Sequence, residues 1–127
     1  MIDHVSVPVR DLKKGTDFYK EILAPLGLSL LVDRPNTTGF GKKYPEFWLN
    51  ARPNMKDQPV DTGCHICLRV REKKSVEEFH TAALENGGTC DGKPGPRQAA
   101  MTTYYGAFIK DPFGNKIEAV CFPKSSN

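Results

Sequence analysis

At 127 residues, 39% hydrophobic and 26% charged, the chain is long enough for one compact domain and too short for two ordinary ones. Its 18 Lys and Arg against 15 Asp and Glu leave a net charge of only +3, and the basic residues stand singly or in pairs (Lys13-Lys14, Lys42-Lys43, Lys73-Lys74), which argues against a nucleic-acid surface. No apolar run approaches the roughly 20 residues that span a bilayer, and Met1 leads into Ile2-Asp3-His4-Val5 with neither a basic nor an apolar leader, so a soluble, unexported, cytoplasmic protein with no membrane partner is expected.

The chain opens on a strand pattern. Val5, Val7 and Val9 alternate with more polar residues, the period-2 signature of a strand with one packed face, which puts His4 on the opposite face. Leu12, Thr16, Tyr19 and Leu23 then recur at helical spacing, and the helix ends near Pro25 and Gly27. Three short strands are predicted next, over residues 29–33, near 39–41, and over 46–50. Residues 51–63, rich in Pro, Asn and Asp, read as a linker.

Beyond it the pattern returns. A shift of 61 residues lays His4-Val5-Ser6-Val7-Pro8-Val9-Arg10-Asp11 on His65-Ile66-Cys67-Leu68-Arg69-Val70-Arg71-Glu72, and the same shift places Phe18 on Phe79, Leu23 on Leu84 and Gly27 on Gly88. In this second copy Ile66, Leu68 and Val70 form the packed face, so His65 points away from it, as His4 does in the first. The following helix is predicted to start on Ser75 as N-cap with Glu78 three residues on, to carry Val76, Phe79, Ala83 and Leu84 near one face, and to stop at Gly87-Gly88. His80 falls on the helix surface or in the layer above the sheet. A weak strand near 89–92, a longer loop over 93–103, and strands at 104–110 and 115–122 complete the half, with Asp111-Pro112-Phe113-Gly114 as the turn between the last two. The expected organisation is a single domain over residues 1–123, with repeat one at about 1–50, the linker at 51–63, repeat two at about 64–122, and a fraying tail at 124–127.

The four cysteines, Cys64, Cys67, Cys90 and Cys121, read as reduced thiols, because a chain of this size can bury its own core. Cys64-x-x-Cys67 lies in strand-like sequence, where positions i and i+3 face opposite ways, so it is a poor zinc knuckle.

The last strand carries the chemistry further. Ile117, Ala119 and Cys121 share one face, so Glu118 takes the other, the face of both histidines. Two imidazoles and one carboxylate on one concave surface are a ligand set for a divalent metal (Fe2+, Zn2+, Mn2+ or Ni2+) with positions left for water and substrate. Around them, Trp48 can wall a ligand, and Tyr104 or Tyr105 can present a phenol as hydrogen-bond donor or general acid. Arg97 can pair with an anionic substrate, and Cys67 is a small neighbour of His65. Arg69 shares the parity of His65 but is expected to reach only solvent.

These residues resemble the vicinal oxygen chelate superfamily, which includes glyoxalase I, extradiol dioxygenases and the bleomycin- and fosfomycin-resistance proteins. The resemblance runs from Ile2 to Cys121. It rests on Ile2-Asp3-His4-Val5, on Asp17-Phe18-Tyr19 with Leu23-Ala24-Pro25-Leu26-Gly27, on Gly63-Cys64-His65-Ile66, and on Tyr104-Tyr105-Gly106-Ala107-Phe108 leading into Asp111-Pro112-Phe113-Gly114-Asn115-Lys116-Ile117-Glu118-Ala119-Val120. It implies an α+β fold of two βαβββ repeats whose curved sheets surround a concave metal and ligand site, the glyoxalase/bleomycin resistance/dihydroxybiphenyl dioxygenase fold. It also implies His4, His65 and Glu118 as metal ligands, a homodimer, and a barrel formed within one chain or across the dimer. The 51–63 linker, at about 3.3 Å per residue, reaches either arrangement.

The family's fourth ligand position, a carboxylate or amide in glyoxalases, falls at Trp48, which cannot ligate; Glu46 and Asn50 share its parity one step away. A His-His-Glu triad of the dioxygenase type remains. The implied function is a metal-dependent enzyme, dioxygenase-like or lyase-like, acting on a small molecule with vicinal oxygens. The alternative is a non-catalytic protein that sequesters a small molecule, as the bleomycin-binding members do.

Overall fold

Val5–Val9 forms β1, Leu12–Leu23 α1, Ser29–Asp33 β2, Thr37–Gly41 β3 and Pro45–Ala51 β4, and the order repeats as Ile66–Val70 (β5), Lys73–Glu85 (α2), Thr89–Gln98 (β6), Thr103–Lys110 (β7) and Lys116–Cys121 (β8). This is a computed structural model that describes residues 1–123; residues 124–127, the expected tail, lie outside it. Each half folds into a four-stranded curved sheet, β1-β4-β3-β2 and β5-β8-β7-β6. The first strand of each half runs parallel to the last, and the other pairings are antiparallel. Among the described residues no strand pairing joins the two sheets into a closed barrel.

The repeat extends to the registers. Val5 and Val7 lie opposite Phe47 and Leu49, and Ile66 and Leu68 lie opposite Ile117 and Ala119. These residues form the inner face, against which α1 lays Phe18, Tyr19, Ile22 and Leu23 and α2 lays Val76, Phe79 and Ala83. One continuous core serves both halves, and each large apolar side chain buried in it contributes about 1.5–3 kcal/mol.

The helix starts show where equivalent positions diverge. Asp11 and Glu72, 61 residues apart, are both N-caps in extended conformation. The short Asp11 side chain accepts from the Lys14 amide at 3.0 Å, whereas the longer Glu72 makes no capping bond. A capping bond of this kind is worth about 1 kcal/mol. The expectation of Ser75 as the cap is corrected: α2 begins at Lys73, because the chain leaves β5 and must turn onto the sheet within two residues. At the far end Gly87 takes the left-handed conformation (φ 97°). Gly88 permits close approach, since a Cβ there would come within 2.9 Å of the Lys110 carbonyl oxygen.

The longer loop expected over residues 93–103 is also corrected. β6 continues to Gln98, with Arg97 opposite Tyr104, and only the tip at residues 99–102 turns. The prolines at 94 and 96 obscured this strand in the sequence. It lies at the edge of its sheet, where a missing N–H leaves no central ladder bond unmade.

A buried polar network ties the halves together. The Tyr19 hydroxyl of α1 donates to Asp111 at 2.6 Å. Asp111 also accepts from the backbone amides of Phe113 and Asn115 and from the Asn115 side-chain amide, and that amide donates in turn to the Pro8 carbonyl of β1 at 2.8 Å. Gln58 of the linker donates to Asn115 and to the Phe113 carbonyl.

His80 is 8% exposed and its Nε2 has no partner among the described residues. Burial, and then the charge of Lys93, hold its pKa below the ordinary histidine value. The unfolded chain therefore binds the proton more readily, and stability present above about pH 6.5 is lost as pH falls toward the folded value. Urea unfolding midpoints are expected to fall between pH 7 and pH 5, and to fall less in a His80→Gln variant; equal slopes in the two proteins would remove His80 from the acid response.

Candidate functional site

Glu118 stands in the middle of β8 with Cys67 of β5 on one side and Phe108 of β7 on the other. Because Ile117 and Ala119 point into the core, Glu118 is turned to the concave face, yet it is only 4% exposed. One carboxylate oxygen lies 3.0 Å from Nε2 of His65, the residue that enters β5. The other, Oε2, is buried with no hydrogen-bond partner among the described residues. An orphaned buried acceptor costs about 1–3 kcal/mol, and here the Cys67 thiol and the Tyr104 hydroxyl stand close enough to the carboxylate to offset part of it. A carboxylate oxygen without a donor, beside an imidazole that can ligate through Nε2, suits a cation.

The surrounding groups are tuned by the same carboxylate. Cys67 is open to solvent, but partial desolvation of its sulfur, followed by the nearby Glu118 charge, pushes the thiol up to about 12. Tyr104, half-buried on the same face, is raised above the ordinary phenol value by burial and then by Glu118. Both keep their protons at neutral pH. His65 packs its ring against Phe108 (5.7 Å between centroids), and Tyr104 against Phe122 (5.6 Å).

The second half thus brings together His65, Glu118, Cys67 and Tyr104. It does not bring His4 to them. His4 precedes β1 of the other sheet, its side chain is 57% exposed, and its Nδ1 lies 2.7 Å from Asp3. Trp48 is also on the first sheet, half-buried opposite Ser6 and Gly39, with its ring seated where a Gly39 side chain would be. Among the described residues no three His, Cys, Asp or Glu side chains converge tightly enough to hold a metal. Within one chain the ligand set is therefore split between two open concave faces. A recess of about 340 Å³ between the end of β1, the linker and the start of β5 has His65 on its rim but does not reach Glu118.

Tyr105 lies away from this group. It alternates with Tyr104, faces α2, and donates to Glu77 at 2.8 Å. Arg97 lies on the concave face opposite Tyr104. The four cysteines are free. Sequence reasoning missed Phe108, which lies directly across from Glu118. The signal was present: the turn at 111–114 and the two flanking strands define a hairpin whose register pairs these two positions.

No helix among the described residues is long and apolar enough to cross a membrane. The chain matches the profile of the Glyoxalase/Bleomycin resistance protein/Dioxygenase superfamily over residues 1–119. It is 30% identical to a probable lactoylglutathione lyase of Synechocystis sp., covering 92% of both chains. It is 28% identical to the lactoylglutathione lyase of Escherichia coli O157:H7, covering 92% of this chain and 89% of that protein. Among solved structures it resembles a glyoxalase/bleomycin resistance protein from Albidiferax ferrireducens T118, with a TM-score of 0.83 and 30% identity over 94% of this chain and 98% of the other.

Proposed function

Since this chain belongs to the glyoxalase/bleomycin resistance protein/dioxygenase superfamily, we propose that it is a divalent-metal-dependent enzyme of the lactoylglutathione lyase kind, acting on a small molecule with two adjacent oxygens. The observation that carries this reading is the buried Glu118 carboxylate, with one oxygen against His65 and the other unpartnered. Curated relatives that match nearly end to end support the reaction class.

His65 and Glu118 are two of the three metal ligands, and His4 of the partner subunit supplies the third. The support for a shared site is that each chain offers two complementary, open half-sites. A two-fold axis that places the first sheet of one copy over the second sheet of the other completes two sites at once. The bound cation, Fe2+, Zn2+, Mn2+ or Ni2+, supplies Lewis acidity toward the two substrate oxygens. Tyr104 keeps its proton and offers its hydroxyl as a hydrogen-bond donor beside Glu118. Cys67, as a neutral thiol, is a small wall of the cavity, and the partner subunit's Trp48 is an apolar one. Burial of Glu118 keeps water away from the carboxylate.

Trp48 favours a second reading. An indole where glyoxalases carry a ligating side chain leaves a three-residue set and an extra position for substrate, the pattern of dioxygenases. Oxygen uptake on substrate addition separates the two chemistries.

A complementation experiment tests the shared site. His4→Ala and Glu118→Gln proteins, each without bound metal, are unfolded together and refolded as a mixture. Random pairing makes half of the dimers mixed, each with one intact site, so about a quarter of the wild-type metal content is expected to return. A mixture that stays metal-free while wild-type protein rebinds metal rules out ligands from two copies.

A further inference from the structure

The concave face of the second sheet carries cations that the metal site does not use. Lys116 is paired with Asp91 at 3.1 Å, but neither Arg69 nor Arg97 meets a carboxylate among the described residues, whereas Arg10, just after β1, lies 3.2 Å from Asp57. Arg69 lies over the Phe122 ring at 4.5 Å, at the open end of the face.

Arg97 is held differently. Its backbone sits opposite Tyr104, two residue pairs beyond Gly95 and Gly106, but its side chain folds back along β6 toward the row of Glu118. There its guanidinium occupies a notch left by Gly92, where a Cβ would stand 3.1 Å from Nη2. It lies 5.7 Å from the centroid of the Phe108 ring and donates from Nη2 to the Lys93 carbonyl at 2.6 Å. Its Nε is buried with no partner among the described residues.

An orphaned donor of a fixed cation calls for an acceptor, which reaches Nε once the guanidinium turns outward from the notch, since Nε itself is buried. The notch is two strands from Glu118, since Gly92 pairs with Phe108 and Phe108 with Glu118. At about 4.8 Å per strand that is a backbone separation of roughly 10 Å, with Phe108 on the strand between them, its ring met by Arg97 at 5.7 Å, Lys116 at 4.9 Å and the His65 ring at 5.7 Å.

We infer that the substrate is a planar acid, lying over Phe108 with its adjacent oxygens at Glu118 and His65 and a carboxylate at the opposite end paired with Arg97. The inference rests on the metal-site reading given above, and adds to it the class of molecule and the residue that selects it. A guanidinium over an aromatic ring recognises a carboxylate through paired N–H donors and cannot lose its charge.

The test compares 3,4-dihydroxybenzoate, which has two adjacent oxygens at one end and a carboxylate at the other, with catechol, which lacks the carboxylate. Binding of each to the metal-loaded dimer is followed by calorimetry. The acid is expected to bind about tenfold more tightly than catechol, an advantage that shrinks with added salt, disappears in Arg97→Gln and is partly kept in Arg97→Lys. Equal affinities in the wild-type protein overturn the inference, as does an advantage that persists in Arg97→Gln or is insensitive to salt. In Glu118→Gln both molecules are expected to bind more weakly with their ratio unchanged. The ratio thus reports on Arg97, and the absolute affinity on the metal site. The salt series on the wild-type protein decides the matter even where a variant folds poorly.

Discussion

Glu118→Gln is expected to abolish stoichiometric metal binding and, in the same protein, to raise the stability of the metal-free fold. The two effects share a cause. Glu118 is buried with one oxygen unpartnered, which costs the folded state about 1–3 kcal/mol and is recovered when a cation or a neutral amide takes its place. Loss of a direct carboxylate ligand weakens metal affinity by more than the 10- to 100-fold typical of residues that merely support ligands. Elemental analysis of protein purified without chelator measures the first effect, and urea unfolding in excess EDTA the second, with a gain of about 1 kcal/mol expected. A variant that still holds one metal per chain, or that is less stable without metal, would make Glu118 a structural residue. His65→Ala is expected to lose metal and to cost the metal-free fold about 1–3 kcal/mol, because it takes away the hydrogen-bond partner of the buried Glu118 carboxylate. If metal-free protein bound its small-molecule ligand at full affinity, the sequestering alternative would be the better reading.

Asp111→Ala is expected to be the most damaging single substitution away from the metal site. It removes the acceptor of four donors at once: the Tyr19 hydroxyl, two backbone amides and the Asn115 side chain. None of them gains access to water in compensation, because Tyr19 and Asn115 are buried. A loss of about 3–5 kcal/mol is expected, a large share of the 5–15 kcal/mol that ordinary domains possess. Tyr19→Phe removes one donor and is expected to cost about 1–2 kcal/mol. Since both residues belong to one network, Tyr19→Phe combined with Asp111→Asn should fall short of the sum of the single effects. Additivity in chemical denaturation would show that the network does not couple the halves. The functional consequence follows from position: Asn115 bridges Asp111 to the Pro8 carbonyl of β1, so the network sets how the two sheets of one chain are disposed.

Much of this was readable in the residues. The alternation of Val5, Val7 and Val9 and its return in Ile66, Leu68 and Val70 were enough for the two halves, their inner faces and the outward turn of His65 and Glu118, because strand side chains alternate strictly and a buried face must be apolar. The two helices and the turn at Asp111-Pro112-Phe113-Gly114 were equally legible. The extent of β6 was not, because prolines at 94 and 96 read as loop when their edge position is unknown. Nor was the separation of Tyr104 from Tyr105, adjacent phenols that only a settled register assigns to opposite faces.

What the sequence determined by itself was the repeat, the parity of each strand and the candidate ligand types, all of which are properties of neighbours along the chain. Only the tertiary structure decided that His65 meets Glu118 while His4 stays on the other sheet, that Arg97 folds back into the notch at Gly92, and that Tyr19 closes on Asp111. The His65–Glu118 and Tyr19–Asp111 contacts join residues far apart in sequence, and the Arg97 notch, though local, depends on the register of β6 against β7. The His65–Glu118 contact depends on the pairing of β5 with β8 and the Tyr19–Asp111 contact on how the two halves share one core, neither of which a local pattern of apolar and polar residues encodes.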